Sequence, residues 1–192
     1  MYAIFFKRSL DIIFSLIASI LFFPICLILL LLIYLQDRKP PLFVQERVGK
    51  NGELFSLLKL RTMNHSVDEG ETVSFRTAKN DGRITALGKL LRKSSLDELP
   101  QIFNVLAGHM SLVGPRPDVV EMKPLYSIDE WDKRCSVCPG ITGLAQATIR
   151  SSGTQNERTR LDLEYVDRLS FSLDIWILIM TISKVAKSKH AN

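Results

Sequence analysis

Residues Ile12 through Leu35, IIFSLIASILFFPICLILLLLIYL, form a run of 24 without a charged side chain. A helix of that length can cross a bilayer. It is too long for a signal-peptide core, and no small-residue cleavage site follows it. Two features weigh against a simple span. Pro24 sits at the centre of the run, where it frees a backbone group and bends a helix. Both flanks are basic, Lys7 and Arg8 before and Arg38 and Lys39 after, so the positive-inside rule gives no direction. A re-entrant helix that dips into one leaflet and returns satisfies both features. From the residues alone, the spanning and re-entrant readings both stand.

The rest of the 192-residue chain suits one principal domain. Net charge is +5, of which residues 1–35 carry +1 through Lys7, Arg8 and Asp11. A mildly basic domain fits an anionic partner: a phosphorylated substrate, a lipid surface or nucleic acid. Cys26, Cys135 and Cys138 give no disulfide framework. The single C-x-x-C lacks a second ligand pair for zinc, so all three are expected to be ordinary thiols.

Beyond Pro40-Pro41, Leu42–Val48 and Leu54–Arg61 are expected to pair as a hairpin. The turn is Gly49-Lys50-Asn51-Gly52, with Asn51-Gly52 favouring positive φ. Lys59 and Arg61 then share one face. Residues 64–82 are polar and read as a long functional loop. Gly82 to Gly88-Lys89 is not a P-loop: five residues intervene instead of four, and Leu90 stands where Ser or Thr would bind Mg²⁺. No G-x-G-x-x-G occurs. His65, His109 and His190 show no metal or nucleophile spacing and are assigned no catalytic role.

Ser94-Ser95-Leu96-Asp97-Glu98-Leu99-Pro100-Gln101 sets two adjacent carboxylates at an expected helix start, with Lys89, Arg92 and Lys93 on one side. Ser95 and Glu98 fit a capping box, while Pro100 fits only a first turn. The plain reading is a capped helix. The sharper one is phosphate chemistry, because a helix start attracts anions and keeps a carboxylate ionised, as a nucleophile or Mg²⁺ ligand must be. Downstream, Pro115 and Pro117 fix the chain on both sides of Arg116, which suits bidentate phosphate recognition. Cys138-Pro139-Gly140-Ile141-Thr142-Gly143-Leu144 is a second turn-rich segment, followed by Arg150. Leu169 to Met180 is apolar, too short to span and broken by Asp174. It suits the core or the membrane interface, with Trp176 at headgroup level. The basic tail of Lys184, Lys187 and Lys189 suits a face toward anionic lipid.

Taken in order, these features resemble a known family. They are Lys7-Arg8 with Asp11, the apolar run with its central proline, Lys59-Leu60-Arg61-Thr62-Met63, Ser95 through Gln101, Asn104-Val105-Leu106, Met110 through Pro117, and Pro139 through Gly143. The resemblance is to the small monotopic phosphoglycosyl transferases of bacteria, the bacterial sugar transferase family, and it covers nearly the whole chain. It implies an α+β, mostly helical fold, with a re-entrant membrane helix over residues 1–36 broken at Pro24. A catalytic domain over 37–192 would carry a small hairpin and amphipathic interfacial helices around a catalytic helix start. It implies transfer of a phosphosugar from a nucleoside diphosphate sugar, usually a UDP-sugar, to polyprenyl phosphate. Asp97 would be the nucleophile, Glu98 its assistant, and Mg²⁺ would sit on Asp97 and Glu98. Lys59, Arg61, Arg83, Arg92, Arg116 and Arg150 would bind substrate. The partners are the sugar nucleotide, polyprenyl phosphate and membrane lipid, with no nucleic acid. The implied location is the cytoplasmic face of the bacterial inner membrane, with oligomeric state left open, a homodimer included.

The chain departs from the family pattern at Phe23, where serine is common, and at His109, where Asp is usual. It departs again at Cys138, in place of a basic residue, and at Ile149 and Ser151 around Arg150. A non-enzymatic membrane adaptor for an anionic partner is the competing class. It would need a basic stripe with interleaved aromatics, and here Lys and Arg are scattered.

Overall fold

A computed structural model describes residues 2, 6–64, 81–149 and 153–188. The fold is mostly helical with two small sheets, and it starts with one long apolar helix. That helix, α1 (Lys7–Asp37), is 31 residues long, about 46 Å if straight. Pro24 lies inside it, and the helix continues to Asp37 beyond the proline. Most of its apolar side chains are exposed, Ile20 at 71% and Leu21 at 65% among them. A bare apolar surface of this extent marks a helix whose solvent is lipid.

The buried stripe of α1 faces the rest of the chain. At its start, Lys7 Nζ donates to Asp174 at 2.6 Å. Arg8 donates to the carbonyls of Val105 and Leu106, at 2.6 and 3.0 Å. Asp11 Oδ1 accepts the Leu112 amide at 3.0 Å. At its end, Ile33 packs with Leu60 and Leu91, and Asp37 takes both Nη atoms of Arg61. The two ends of the apolar helix are therefore held by the same body.

The expected hairpin is present: β1 (Leu42–Val48) pairs antiparallel with β2 (Leu54–Leu60), Val48 opposite Leu54 and Leu42 opposite Leu60. Asn51 and Gly52 take positive φ, 55° and 81°, in the turn. The polar stretch after the hairpin lies mostly outside the described residues. Its base is closed, with Asn64 bonded to Arg83, Thr85 bonded to Thr62, and Met63 bridged to Ile84. The next helix, α2 (Ala86–Ser94), starts at Thr85, whose hydroxyl accepts the Gly88 amide. Gly88 serves packing, since a Cβ there would strike the Thr62 carbonyl.

After α2 comes α3 (Gln101–Ala107), then β3 (Ser111–Val113), α4 (Ile128–Cys135), β4 (Gly140–Thr142), α5 (Leu144–Thr148), α6 (Gln155–Arg168) and α7 (Phe171–Ser188). β3 and β4 pair in parallel, Ser111 opposite Gly140 and Val113 opposite Thr142. The main core joins Val113, Leu144, Ala147, Leu161, Tyr165 and Ile177. A second cluster joins Phe55 and Leu57 of the hairpin to Val105 and Met110. α7 joins the core through Ile177, which is fully buried, and leaves Trp176, Ile179 and Ile182 exposed.

Candidate active site

The carboxylate pair sits on a turn between two helices. α2 ends at Ser95, which adopts the left-handed conformation (φ 57°) and spends its N–H on the carbonyls of Arg92 and Leu91. Leu96–Glu98 then makes one 3₁₀ turn, and α3 opens at Pro100. The expected capping box of Ser95 and Glu98 is corrected: the Ser95 side chain makes no cap bond. The Glu98 carboxylate points elsewhere because two cations claim it. Lys59 Nζ and Arg116 Nη2 both donate to Glu98 Oε1, at 2.9 and 2.7 Å.

These contacts set the charge states. Burial alone would raise the Glu98 pKa, but Arg116 and then Lys59 outweigh it and hold the carboxyl at about 2. Asp97 moves the other way. Burial and then the neighbouring Glu98 raise its pKa, against the pull of Lys59 and Arg92. Burial and Glu98 therefore work against the helix-start field that was expected to favour the ionised Asp97. Among the described residues Asp97 forms no ion pair, so its charge lacks the contacts that stabilise Glu98. Lys59 is lowered by burial and by Arg116, against Glu98.

Asn104 brings these elements together. Its amide spans two backbone groups of β2, with Nδ2 donating to Ser56 O at 2.7 Å and Oδ1 accepting the Leu58 N–H at 3.0 Å. This bridge docks α3 on β2 and places Lys59, the next residue, opposite Glu98. Arg116 arrives from a different direction, on the loop after β3. That loop lies backbone to backbone against Pro139–Gly143: a Cβ on Gly140 would collide with the Gly114 amide.

The other candidate residues divide. Arg92 stands beside the pair, its Nε donating to Thr62 Oγ1 at 2.8 Å while its charge acts on Asp97. Arg61 does not join the pair. β2 ends one residue before it, and its fork is spent on Asp37 at 2.6 and 2.7 Å, so it ties down the end of α1. Arg83 pairs with Asp81, two residues away, through Nε at 2.9 Å and Nη2 at 2.6 Å. The Arg150 assignment lies outside the described residues. Among the variant positions, His109 stacks on Phe55 with ring centroids 5.7 Å apart, and Phe23 is exposed on α1.

Among the described residues, no three His, Cys, Asp or Glu side chains form a metal cage. Mg²⁺ does not require one, since one or two carboxylates plus substrate phosphates and water commonly complete its shell. Asp97 suits that role: it is half-buried, unpaired and crowded by a like charge that a cation would offset. Glu98 fits it less well through Oε1, which already accepts from Lys59 and Arg116.

A family model described as bacterial sugar transferase matches residues 2–188. The chain belongs to the bacterial sugar transferase family. It is similar to a UDP-glucose:undecaprenyl-phosphate glucose-1-phosphate transferase of Caulobacter vibrioides, 38% identical over 96% of this chain and 71% of that one. It is also similar to a protein of the same name from Xanthomonas campestris, 40% identical over 96% of this chain but only 40% of the relative. The exopolysaccharide production protein ExoY of Rhizobium meliloti is 36% identical over 95% of this chain and 86% of its own. The chain is thus a transferase, and its long apolar helix accords with a membrane-associated member.

Some residues that tie this sugar transferase together carry no mark of that role in the sequence. Asp174 read as a break in an apolar run. It is buried and accepts from Tyr2, Lys7 and Tyr165, at 2.7, 2.6 and 2.8 Å. Arg47 and Arg134 carried no signal beyond being two arginines among many. Asn104 was noted only as part of the family resemblance.

Proposed function

We propose that this sugar transferase moves a phosphosugar from a UDP-sugar to polyprenyl phosphate at the cytoplasmic face of the inner membrane, releasing UMP. The observation that supports it best is the Lys59–Glu98–Arg116 cluster beside an unpaired Asp97, built against the flank of a lipid-facing helix.

The steps follow from the chain's own groups. An Asp97 carboxylate oxygen attacks the β-phosphorus of the sugar nucleotide. The bond from that phosphorus to the bridging oxygen breaks, UMP leaves, and an aspartyl phosphosugar remains. A phosphate oxygen of polyprenyl phosphate then attacks the same phosphorus and frees the Asp97 carboxylate. Arg116 and Lys59 face the charge that builds on the phosphoryl oxygens, and Glu98 holds both cations ready for it. The charge of Arg92 also acts on Asp97 and favours its ionised form. Bound at Asp97 and the substrate diphosphate, Mg²⁺ would neutralise phosphate charge and favour the ionised carboxylate.

The membrane course is re-entrant in this reading, bent at Pro24 with both ends of α1 on the cytoplasmic side. Support comes from Lys7, Arg8 and Asp11 at one end and Ile33 and Asp37 at the other, all bonded or packed to one polar body. A straight span would carry the ends to opposite faces. The testing assay uses purified enzyme with Mg²⁺, polyprenyl phosphate and a panel of UDP-sugars, UDP-glucose first. UMP release with one of them is expected, and no release with any of them overturns the proposal.

A further inference from the structure

The loop that carries Arg116 cannot be fixed in the usual way. Two of its residues, Pro115 and Pro117, have no N–H to donate. It is held through its carbonyl oxygens instead, four in succession. Pro115 O accepts from the Gly140 N–H at 2.8 Å, and Asp118 O accepts from the Val48 N–H at 2.8 Å. The two carbonyls between them accept from side chains: Arg134 Nη2 donates to Arg116 O, and Arg47 Nη1 donates to Pro117 O at 3.1 Å.

We infer that Arg47 and Arg134 are positioning residues for the transfer, gripping the backbone at Arg116 so that its guanidinium stays over Glu98. This rests on the proposed function. The Arg116 side chain is itself 45% exposed and touches Glu98 through one Nη at 2.7 Å. Side-chain packing therefore does little to aim it, and the backbone must. Pre-set geometry matters here, because a misplacement of about 1 Å at a charged group costs on the order of 10²-fold in rate.

The two arginines are anchored differently. Arg134 is buried, with Nε on Asp162 at 2.9 Å, Nη2 near Asp118 at 3.2 Å, and its guanidinium over the Tyr126 ring at 5.5 Å. Tyr126 in turn donates to Asp118 at 2.5 Å and accepts from Gln155 at 2.9 Å. Arg47 has no carboxylate in direct contact, and Asp118, Glu121 and Glu98 act on its charge only at longer range. Its Nη2 donates to Gln45 Oε1 at 2.6 Å, its Nε is buried without a hydrogen-bond partner, and it makes no ion pair among the described residues. An incompletely satisfied guanidinium beside a second cation is a poor choice for folding alone. Holding a donor-poor loop from its open side explains why it is there.

Arg134 variants would leave Asp118 and Asp162 without their shared cation and can unfold, so Arg47 carries the test. A double-mutant cycle of Arg47→Met and Arg116→Ala is read by UMP release, with kcat and KM measured separately. Arg47→Met should lower kcat by about tenfold with KM changed by less than about threefold. The double variant should be no worse than Arg116→Ala alone, to within about twofold. Amide exchange at Val48 and Gly140, whose N–H groups donate to the loop carbonyls of Asp118 and Pro115, should quicken in Arg47→Met, and Arg47→Lys should restore part of both effects. Multiplying losses in the cycle, or unchanged exchange at these amides, overturns the inference. If the wild type releases no UMP, the proposed function fails, and the exchange measurement still decides whether Arg47 holds the loop.

Discussion

Asp97 and Glu98 are neighbours with opposite environments. Glu98 is held ionised by Arg116 and Lys59, while Asp97 is raised by burial and by Glu98 itself. In the proposed mechanism the pair divides labour: Glu98 organises cations and Asp97, without an ion pair among the described residues, is the group that reacts. Asp97→Asn should keep the shape and lower turnover by at least about 10³, equivalent to roughly 4 kcal/mol. Wild-type enzyme given UDP-sugar alone should release UMP and gain mass on the peptide that contains Asp97. UMP release only in the presence of polyprenyl phosphate, with no trapped adduct, would instead favour direct transfer. Arg116→Lys should lose about tenfold in kcat/KM, roughly 1.4 kcal/mol, because an ammonium cannot reproduce the planar fork. Near-normal activity in that variant would make Arg116 structural.

At the scale of elements, the same S/T-x-x-E pattern has two fates. Ser127 with Glu130 caps α4, and Thr154 with Glu157 caps α6, each with both reciprocal bonds. Ser95 with Glu98 matches the pattern and makes neither, because Lys59 and Arg116 hold the glutamate. Thr154→Ala should cost about 1 kcal/mol of stability. Ser95→Ala should cost less than half of that, as its hydroxyl makes no cap bond. Thermal melts of the two variants in detergent check this, and equal losses would contradict it. The Arg116 loop makes a related point: its prolines were legible as rigidity, but what they are rigid against was not.

For the whole molecule, the connection of α1 to the catalytic body is the main constraint. The Lys7–Asp174 pair is buried at both side chains, and Tyr165 links Asp174 to the Val113 carbonyl at the end of β3. Asp174→Ala leaves Lys7 buried and uncompensated, so it should cost about 3 kcal/mol or more. A shift of melting temperature no larger than that of an exposed-site control such as Asp129→Ala would refute that weight. Topology is tested separately. Single cysteines at Ala3 and Gln36, in a cysteine-free background, should both resist an impermeant thiol reagent in intact cells. Labelling of one alone from outside would establish a spanning helix.

The sequence by itself determined the long apolar helix, the hairpin with its Asn51-Gly52 turn, and the Asp97-Glu98 pair. Each of these is written in contiguous residues: unbroken hydropathy, a positive-φ dipeptide, two carboxylates side by side. It also put Arg92 beside that pair and marked Lys59 and Arg116 as substrate-binding candidates, without joining them to Glu98. Only the tertiary structure decided which basic residues meet the carboxylates. Arg61 went to Asp37 and Arg83 to Asp81, while Arg47 and Arg134 took the backbone of the Arg116 loop. A guanidinium looks the same in sequence whatever it binds. Its partner is set by which chain segments, up to 172 residues apart in the Asp174 network, are packed within 3 Å or so of it.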